Sequence, residues 1–210
     1  MANPTIEELQ NQDRFELIAE LSHSNIKSFV LDQLALGGRI TVFFMVYQTL
    51  MVLLGIFLIT KSIILALHHT PENLYFSIAA FLFCFTALIP IHELLHGLAI
   101  KLTGAARVHY GAYLRRFIFY AEADRHVINR TQFTRIALTP LVVIKLLMLI
   151  CSLVFWNTSC LYFFLLVMAV HSLFCAGDIG LLSIFYRNKS DLIYTFDAKE
   201  EKKSFYYRKK

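Results

Sequence analysis

Four long apolar stretches constrain the fold of this chain more than any other feature of its sequence. They cover residues 40–60, 75–102, 136–156 and 161–186. Each is long enough for an α-helix to cross the hydrocarbon core of a bilayer, which takes about 20 residues. Charged residues make up only 17% of the 210 residues, against about 25% in soluble domains, so too little polar chain remains to cover four buried helices. The sequence therefore predicts an all-α integral membrane protein with four transmembrane helices.

The distribution of Lys and Arg predicts the orientation of these helices. The N-terminal segment, the three connections and the C-terminal tail contain three, one, seven, none and eight of them, in chain order. Because cytosolic segments carry the excess of basic residues, both termini are expected in the cytosol of a multi-pass protein of the cell membrane. The basic residues lie beside the apolar stretches, so the net charge of +5 indicates contact with the bilayer surface and no nucleic-acid partner.

Three parts are predicted along the chain. Residues 1–39 form a cytosolic amphipathic segment, residues 40–186 a four-helix membrane domain that carries the functional site, and residues 187–210 a basic cytosolic tail. The first part lacks the basic start and early apolar core of a cleaved signal peptide, so residue 1 is expected to stay on the mature protein. Its apolar residues, mostly three apart, predict an amphipathic helix; they are Ile6, Leu9, Phe15, Ile18 and Leu21.

The connection between the second and third helices differs from a plain loop. Val108, Tyr110, Ala112 and Leu114 alternate with polar or small residues, and a short aromatic run follows at 117–120. Alternation of this kind is typical of β-structure. We therefore expect one or two short strands in this cytosolic connection.

One polar cluster interrupts the second apolar stretch. Its sequence, I-H-E-L-L-H-G, places His92, Glu93 and His96 within a single span. Positions i and i+4 of a helix share a face, so both imidazoles can bind one ion, and the carboxylate can reach a water at the metal. This is the H-E-x-x-H arrangement of zincins, in which zinc is the metal and the glutamate the general base. A polar patch that pairs with another helix is the alternative.

A catalytic zinc site needs a third protein ligand and leaves the fourth position to water. Asp178 lies in the fourth stretch at a predicted depth similar to that of His92 and His96, and it is the favoured third ligand. His171, two turns earlier, could replace it as ligand, or could contact substrate or an oxyanion. Asp178 could instead form an ion pair with Lys145 in the third stretch.

Two further features of the apolar stretches are less specific. Pro140 is expected to kink the third helix, either to open a path for water or for packing alone. The four cysteines show no C-x-x-C spacing and are interpreted as small buried apolar residues.

With these residues in place, the chain resembles the site-2 type of intramembrane zinc metalloprotease. It resembles more closely a bacterial family of small, four-span membrane proteins described as putative zincin peptidases. The similarity runs from about residue 81 to 197 and includes H-E-L-L-H-G, the A-L-T-P stretch at 137–140, and Gly177-Asp178.

The resemblance implies zinc bound by His92, His96 and Asp178, with Glu93 as the general base. It also implies that a strand after the first motif holds the substrate extended, and residues 108–120 are the candidate. The chain departs from the site-2 pattern around the third ligand. His171 takes roughly the position of an asparagine, no proline follows it, and isoleucine replaces the glycine after the aspartate.

The predicted function is zinc-dependent hydrolysis of a peptide bond in or near a membrane span, with a membrane protein or peptide as substrate. The alternative is a non-catalytic membrane protein in which the same ligands hold a structural zinc ion and the basic segments bind partners. A fourth protein ligand, for example His171, would close such a site. A metal transporter is a third alternative, which a single polar cluster in four helices disfavours. The oligomeric state is left open.

Overall fold

Helices dominate the part of the chain that the computed structural model describes, which is residues 3–113, 118–187 and 192–210. The helices are α1 (Ile6–Leu9), α2 (Ile26–Ala35), α3 (Arg39–Leu67), α4 (Glu72–Phe83), α5 (Ile89–Leu102), α6 (Arg130–Val154), α7 (Cys160–Phe174) and α8 (Ala176–Ser183). The strands are β1 (Phe15–Ser22), β2 (His109–Tyr113), β3 (Ile118–Glu122), β4 (Ile128–Asn129), β5 (Ile193–Ala198) and β6 (Lys203–Lys209).

Four helical segments among the described residues are long and apolar enough to cross a membrane. They are Arg39–Leu67, Glu72–Leu102, Arg130–Val154 and Cys160–Tyr186. Each contains most or all of one predicted apolar stretch, so the four predicted membrane-length helices are confirmed, as expected for a multi-span membrane protein.

The second membrane-length segment contains an irregular turn just before the polar cluster. Residues Cys84–Leu88 form a π-helical turn between α4 and α5. Pro90 follows in the first turn of α5, and its missing N–H cannot bond to the carbonyl of Thr86, which favours a wider turn at this point. Thr86 Oγ1 donates to the Leu82 carbonyl at 2.6 Å. The irregularity therefore sets the rotation at which α5 begins, and α5 carries both histidines of the motif.

The fourth membrane-length segment is broken at Cys175, which lies between α7 and α8. The sequence predicted one continuous helix here. The break gives α8 its own N-terminus, and Asp178 lies in its first turn. A carboxylate there interacts favourably with the exposed N–H groups and the dipole of the helix.

The chain forms two compact units. The first, here called the sheet unit, comprises Met1–Thr41, Glu93–Thr139 and Gly177–Lys210, and the second, the helical unit, comprises Val42–His92 and Pro140–Ala176. The backbone passes between the units inside continuous helices, for example between His92 and Glu93 of α5.

Within the helical unit, α4 and α7 pack along each other, with the rings of Phe83 and Phe163 5.5 Å apart. Gly55 of α3 faces Ala169 of α7, where an added Cβ would make an ordinary van der Waals contact of 3.6 Å with the alanine methyl. Large apolar side chains cover the outward faces of this unit. Such a surface is suited to hydrocarbon, because lipid tails solvate it as well as a protein core would.

The sheet unit is built on an antiparallel sheet with strand order β1-β6-β5-β4. Adjacent residues of β6 cover its two faces, as expected from the alternation of side chains along a strand. One face packs into a cluster of Leu9, Phe15, Val127, Phe196, Ala198 and Tyr207. The other packs into a cluster of Leu21, Ile184, Phe185, Ile193 and Tyr206. The first and last segments of the chain therefore share one sheet, and this sheet is not anticipated by the sequence analysis.

The N-terminal amphipathic helix predicted from Ile6 to Leu21 is wrong beyond its first turn. The helix α1 ends at Leu9, and Phe15–Ser22 form β1 instead. The register of β1 on β6 shifts between Leu17 and Ala19, so Phe15 and Leu21 lie on opposite faces of the sheet. A bulge of this kind breaks the two-residue alternation of side chains along a strand. The apolar residues of β1 are therefore about three apart, and this spacing indicated a helix.

Short strands in the connection after the second span are confirmed. The strands β2 and β3 form an antiparallel hairpin, in which His109 pairs with Glu122. Residues 114–117, which include Leu114 of the predicted alternation, lie outside the described residues. The C-terminal tail, expected only as a basic segment, contains β5 and β6. Its aromatic residues pack on the sheet, while most of its described lysines and arginines are exposed.

We predict that Gly180→Ala destabilises the sheet unit through α2. A Cβ at Gly180 would approach the Val30 side chain to 2.7 Å, and such overpacking costs about 1–3 kcal/mol, partly offset by the helix propensity of alanine, about 1 kcal/mol. Thermal unfolding in detergent should show a lower Tm, which Val30→Ala should restore in the double variant. The matched control is Gly177→Ala, since no atom lies within 4 Å of its Cβ position. An unchanged Tm for Gly180→Ala would contradict the packing.

Candidate metal centre

The helix α5 carries the three residues of the predicted motif. His92 and His96 stand one turn apart on it, and both side chains are buried. Glu93 follows His92 directly and is half-buried. Because the helix is continuous through this stretch, the spacing of the two imidazoles is set by helix geometry alone. The predicted helical context of the motif is confirmed.

Within the sheet unit, His96 is held between two acceptors. Its Nδ1 donates to the carbonyl of Ile136 at 3.0 Å, and its Nε2 lies 3.1 Å from Asp178 Oδ1. A backbone carbonyl accepts hydrogen bonds but cannot donate, so the ring proton of the neutral imidazole is assigned to Nδ1. The Nε2 atom then presents a lone pair toward a carboxylate oxygen.

The lone pairs of His96 Nε2 and Asp178 Oδ1, two atoms 3.1 Å apart, repel each other unless a cation lies between them. A second ring proton would supply one, at the cost of a charged pair in a buried site. A divalent metal ion is the other choice, and the donor set suits zinc, which binds imidazole nitrogen and carboxylate oxygen. Zn–N and Zn–O bonds of about 2.0 Å in tetrahedral geometry separate two ligand atoms by about 3.3 Å. The observed separation of His96 and Asp178 therefore fits two ligands of one zinc ion.

One helix and one contact position the predicted ligands. His92 and His96 stand one turn apart on α5, and Asp178 lies against His96 within the sheet unit. The Asp178 side chain is 19% exposed, so this set is open enough to leave a position for water.

A second group lies within the helical unit and includes His171. Here His92, His171 and Cys175 each offer one ligand atom within 4.8 Å of the others. His92 Nδ1 lies 3.0 Å from His171 Nε2, and the Cys175 sulfur lies 3.8 Å from both ring nitrogens of His171. The sequence analysis named His171 but treated all cysteines as apolar filler. The signal that could have found Cys175 is its spacing of four from His171, which places both on one helical face.

The two groups differ in exposure. His171 and Cys175 are both 0% exposed, whereas Glu93 and Asp178 are only partly buried. A catalytic site needs access for water and substrate, so the group with Asp178 fits catalysis and the group with Cys175 does not.

Lys145 has other partners than the predicted ion pair with Asp178. Its ammonium donates to the carbonyl of Met168 and lies 5.2 Å from the centre of the Tyr47 ring. Both partners belong to the helical unit. A carbonyl and an aromatic face together stabilise a cation in an apolar surrounding, which explains how this lysine is accommodated without a carboxylate.

The hairpin of β2 and β3 contacts α5 next to the motif. The hydroxyl and ring of Tyr110 lie directly against Gly97, where any side chain would overlap them. Gly97 follows His96 and stands one turn after Glu93, so the Tyr110 side chain contacts the face of α5 that carries the motif glutamate. Tyr110 is 52% exposed. The glycine of the H-E-L-L-H-G run thus allows a strand to approach the centre closely.

Comparison with known proteins adds one finding. The sequence profile of a family described as "Putative zincin peptidase" matches residues 85–193, which is more than half of the chain and includes the motif and Asp178. No curated protein and no solved structure matches the chain.

Proposed function

Since the chain belongs to the family described as "Putative zincin peptidase", we propose that it is a zinc metallopeptidase that hydrolyses a peptide bond in or near a membrane span. The observation that carries the proposal is the position of His96 between the Ile136 carbonyl and Asp178. This arrangement presents a buried imidazole lone pair to a carboxylate, and a cation between them resolves the repulsion. His92, His96 and Asp178 are the proposed zinc ligands.

The proposed mechanism assigns one role to each residue. A zinc ion held by the three ligands supplies a Lewis acid that polarises the scissile carbonyl and activates the attacking water. Glu93 accepts the proton of that water as it attacks and passes it to the leaving amine. Asp178 contributes negative charge to the ligand set, and the Ile136 carbonyl holds His96 in the tautomer that binds through Nε2.

The hairpin of β2 and β3 is the proposed contact for the substrate. It crosses α5 at Gly97 through Tyr110, beside the proposed general base. An extended peptide could add to the open edge of a two-stranded hairpin through backbone hydrogen bonds. The substrate class that fits is a membrane protein or peptide with a locally extended segment, because a peptide bond inside a helix is shielded by its own turn.

The strand pairing of the sheet supports a topology in which both termini and the connection before the third span lie on the same side of the membrane. The strand β1 pairs with β6, and β4, in the connection before the third span, pairs with β5. With four crossings, both termini and this connection would share one side of the membrane, in agreement with the pairing. The excess of Lys and Arg in these segments favours the cytosolic side of the cell membrane.

We expect about one zinc ion per chain in the detergent-purified protein, because two imidazoles and a carboxylate form a buried ligand set. His96→Ala and Asp178→Ala should each lose the metal, as measured by elemental analysis after gel filtration. The control is His126→Ala, a histidine of the sheet unit that bonds to Thr103 Oγ1 instead.

Two results would contradict this ligand set. If Asp178→Ala keeps its zinc while Cys175→Ala loses it, the ion is held by the group in the helical unit. That outcome would favour the alternative function, a structural zinc site in a non-catalytic membrane protein. Wild-type protein that takes up no zinc after resupply would exclude a zinc peptidase.

Glu93→Gln should keep the zinc ion and lower cleavage by at least about 100-fold, because the amide cannot accept the proton of the attacking water. New N-termini in the membrane proteome of cells that express the wild type should be missing in cells that express the variant. Glu201→Gln, an exposed acidic residue outside the site, is the matched control. Equal cleavage by Glu93→Gln and wild type would show that this residue is not the base.

Gly97→Ala should slow cleavage without releasing zinc. The new Cβ would push the Tyr110 side chain away from α5, and a misplacement of about 1 Å in a substrate contact can cost up to about 100-fold in rate. Tyr110→Ala in the same protein should cause no further loss, because the displaced contact is already gone. Loss of zinc in Gly97→Ala would instead point to damage of α5 itself.

A further inference from the structure

His171 is the most deeply buried histidine of the described residues, and the proposed ligand set does not use it. Its side chain is 0% exposed, so it has no route to a substrate in this conformation. A fully buried imidazole must find hydrogen-bond partners inside the protein, since an unsatisfied polar group there costs about 1–3 kcal/mol. Its Nε2 lies 3.0 Å from His92 Nδ1.

The zinc ligands proposed above determine which of the two rings carries the proton of this hydrogen bond. A histidine that binds zinc through Nε2 in its neutral form carries its proton on Nδ1. His92 Nδ1 is the atom that faces His171, so His92 donates this hydrogen bond and His171 Nε2 accepts it. His96 follows the same rule, with the Ile136 carbonyl as the acceptor for its Nδ1.

Cys175 packs against the His171 ring from the next turn of the helix. If Nε2 of His171 accepts, the proton of the neutral ring is on Nδ1, and the Cys175 sulfur lies 3.8 Å from both ring nitrogens. The Cys175 thiol donates to the His171 carbonyl at 3.4 Å, which keeps the sulfur beside the ring. The edge of the His171 ring also packs against Phe174, with centroids 6.4 Å apart at 82°.

We propose that His171 is a positioning residue, which holds His92 in the orientation and tautomer that bind zinc through Nε2. This inference rests on the proposed function. It gives His171 a role different from the substrate or oxyanion contact and from the third ligand considered above. Partners that accept the N–H of a ligating histidine fix its ring and raise its basicity, and their loss typically costs 10- to 100-fold in metal affinity.

The test measures the zinc affinity of detergent-purified protein by competition with a chromophoric chelator, so it needs no substrate. His171→Ala should weaken zinc binding by about 10- to 100-fold while the stoichiometry stays at one ion per chain. His171→Gln should recover most of the affinity, because its amide oxygen occupies nearly the position of Nε2 and accepts the same hydrogen bond. The matched control is Ser172→Ala, an equally buried neighbour that bonds to Gln48 and to the Ala169 carbonyl.

Cobalt substitution separates a positioning role from ligation. With Co²⁺ in place of zinc, His171→Ala should keep the intense visible bands of a four-coordinate ion. Cys175→Ala should not alter the near-ultraviolet spectrum, because the thiol does not bind the metal. A thiolate-to-cobalt band in the wild type that disappears in Cys175→Ala would overturn the inference.

The remaining outcomes are equally distinct. An unchanged zinc affinity of His171→Ala overturns the positioning role and leaves the proposed peptidase intact. Complete loss of zinc in both His171→Ala and His171→Gln, as in His96→Ala, makes His171 a ligand. A wild type that binds no zinc overturns the proposed function together with this inference, and a change in Ser172→Ala equal to that in His171→Ala assigns the effect to packing.

Discussion

The contact between His96 and Asp178 is the constraint on which the rest of the centre depends. The carbonyl of Ile136 fixes the ring proton on one side of His96, so the other nitrogen must face the carboxylate 3.1 Å away. In an apolar membrane helix such a pair is costly without a positive charge between the two atoms. The surrounding elements serve to maintain this pair: α6 supplies the carbonyl, and the break at Cys175 starts the short helix that carries Asp178.

The sequence allowed much of this arrangement to be predicted. Hydrophobicity over about 20 residues is sufficient to identify a membrane helix, and the i, i+4 spacing of His92 and His96 determines their common face. Depth along the second and fourth spans, which run in the same direction in the predicted topology, puts Asp178 at the level of the two histidines. Each of these inferences depends on helix geometry, which is local and regular. The family match over residues 85–193 includes these positions.

Other elements could not be predicted, for physical reasons that differ between them. The bulge in β1 moves Phe15 and Leu21 to opposite faces of the sheet, and a strand without regular alternation has no periodic signal. In β6 the charges of Lys203, Arg208 and Lys209 concealed a strand. The helix break between α7 and α8 could not be predicted either, because no proline interrupts residues 161–186.

The pairing of β1 with β6 determines when the protein can finish folding. β6 lies between β1 and β5, and it is translated after all four membrane helices. Until β6 leaves the ribosome, β1 has no partner strand, because the two strands are far apart in the sequence. A chain that stops before residue 203 lacks β6, which leaves β1 unpaired and one edge of β5 open. Formation of the apolar helices and closure of this sheet are therefore separate stages in the folding of the protein.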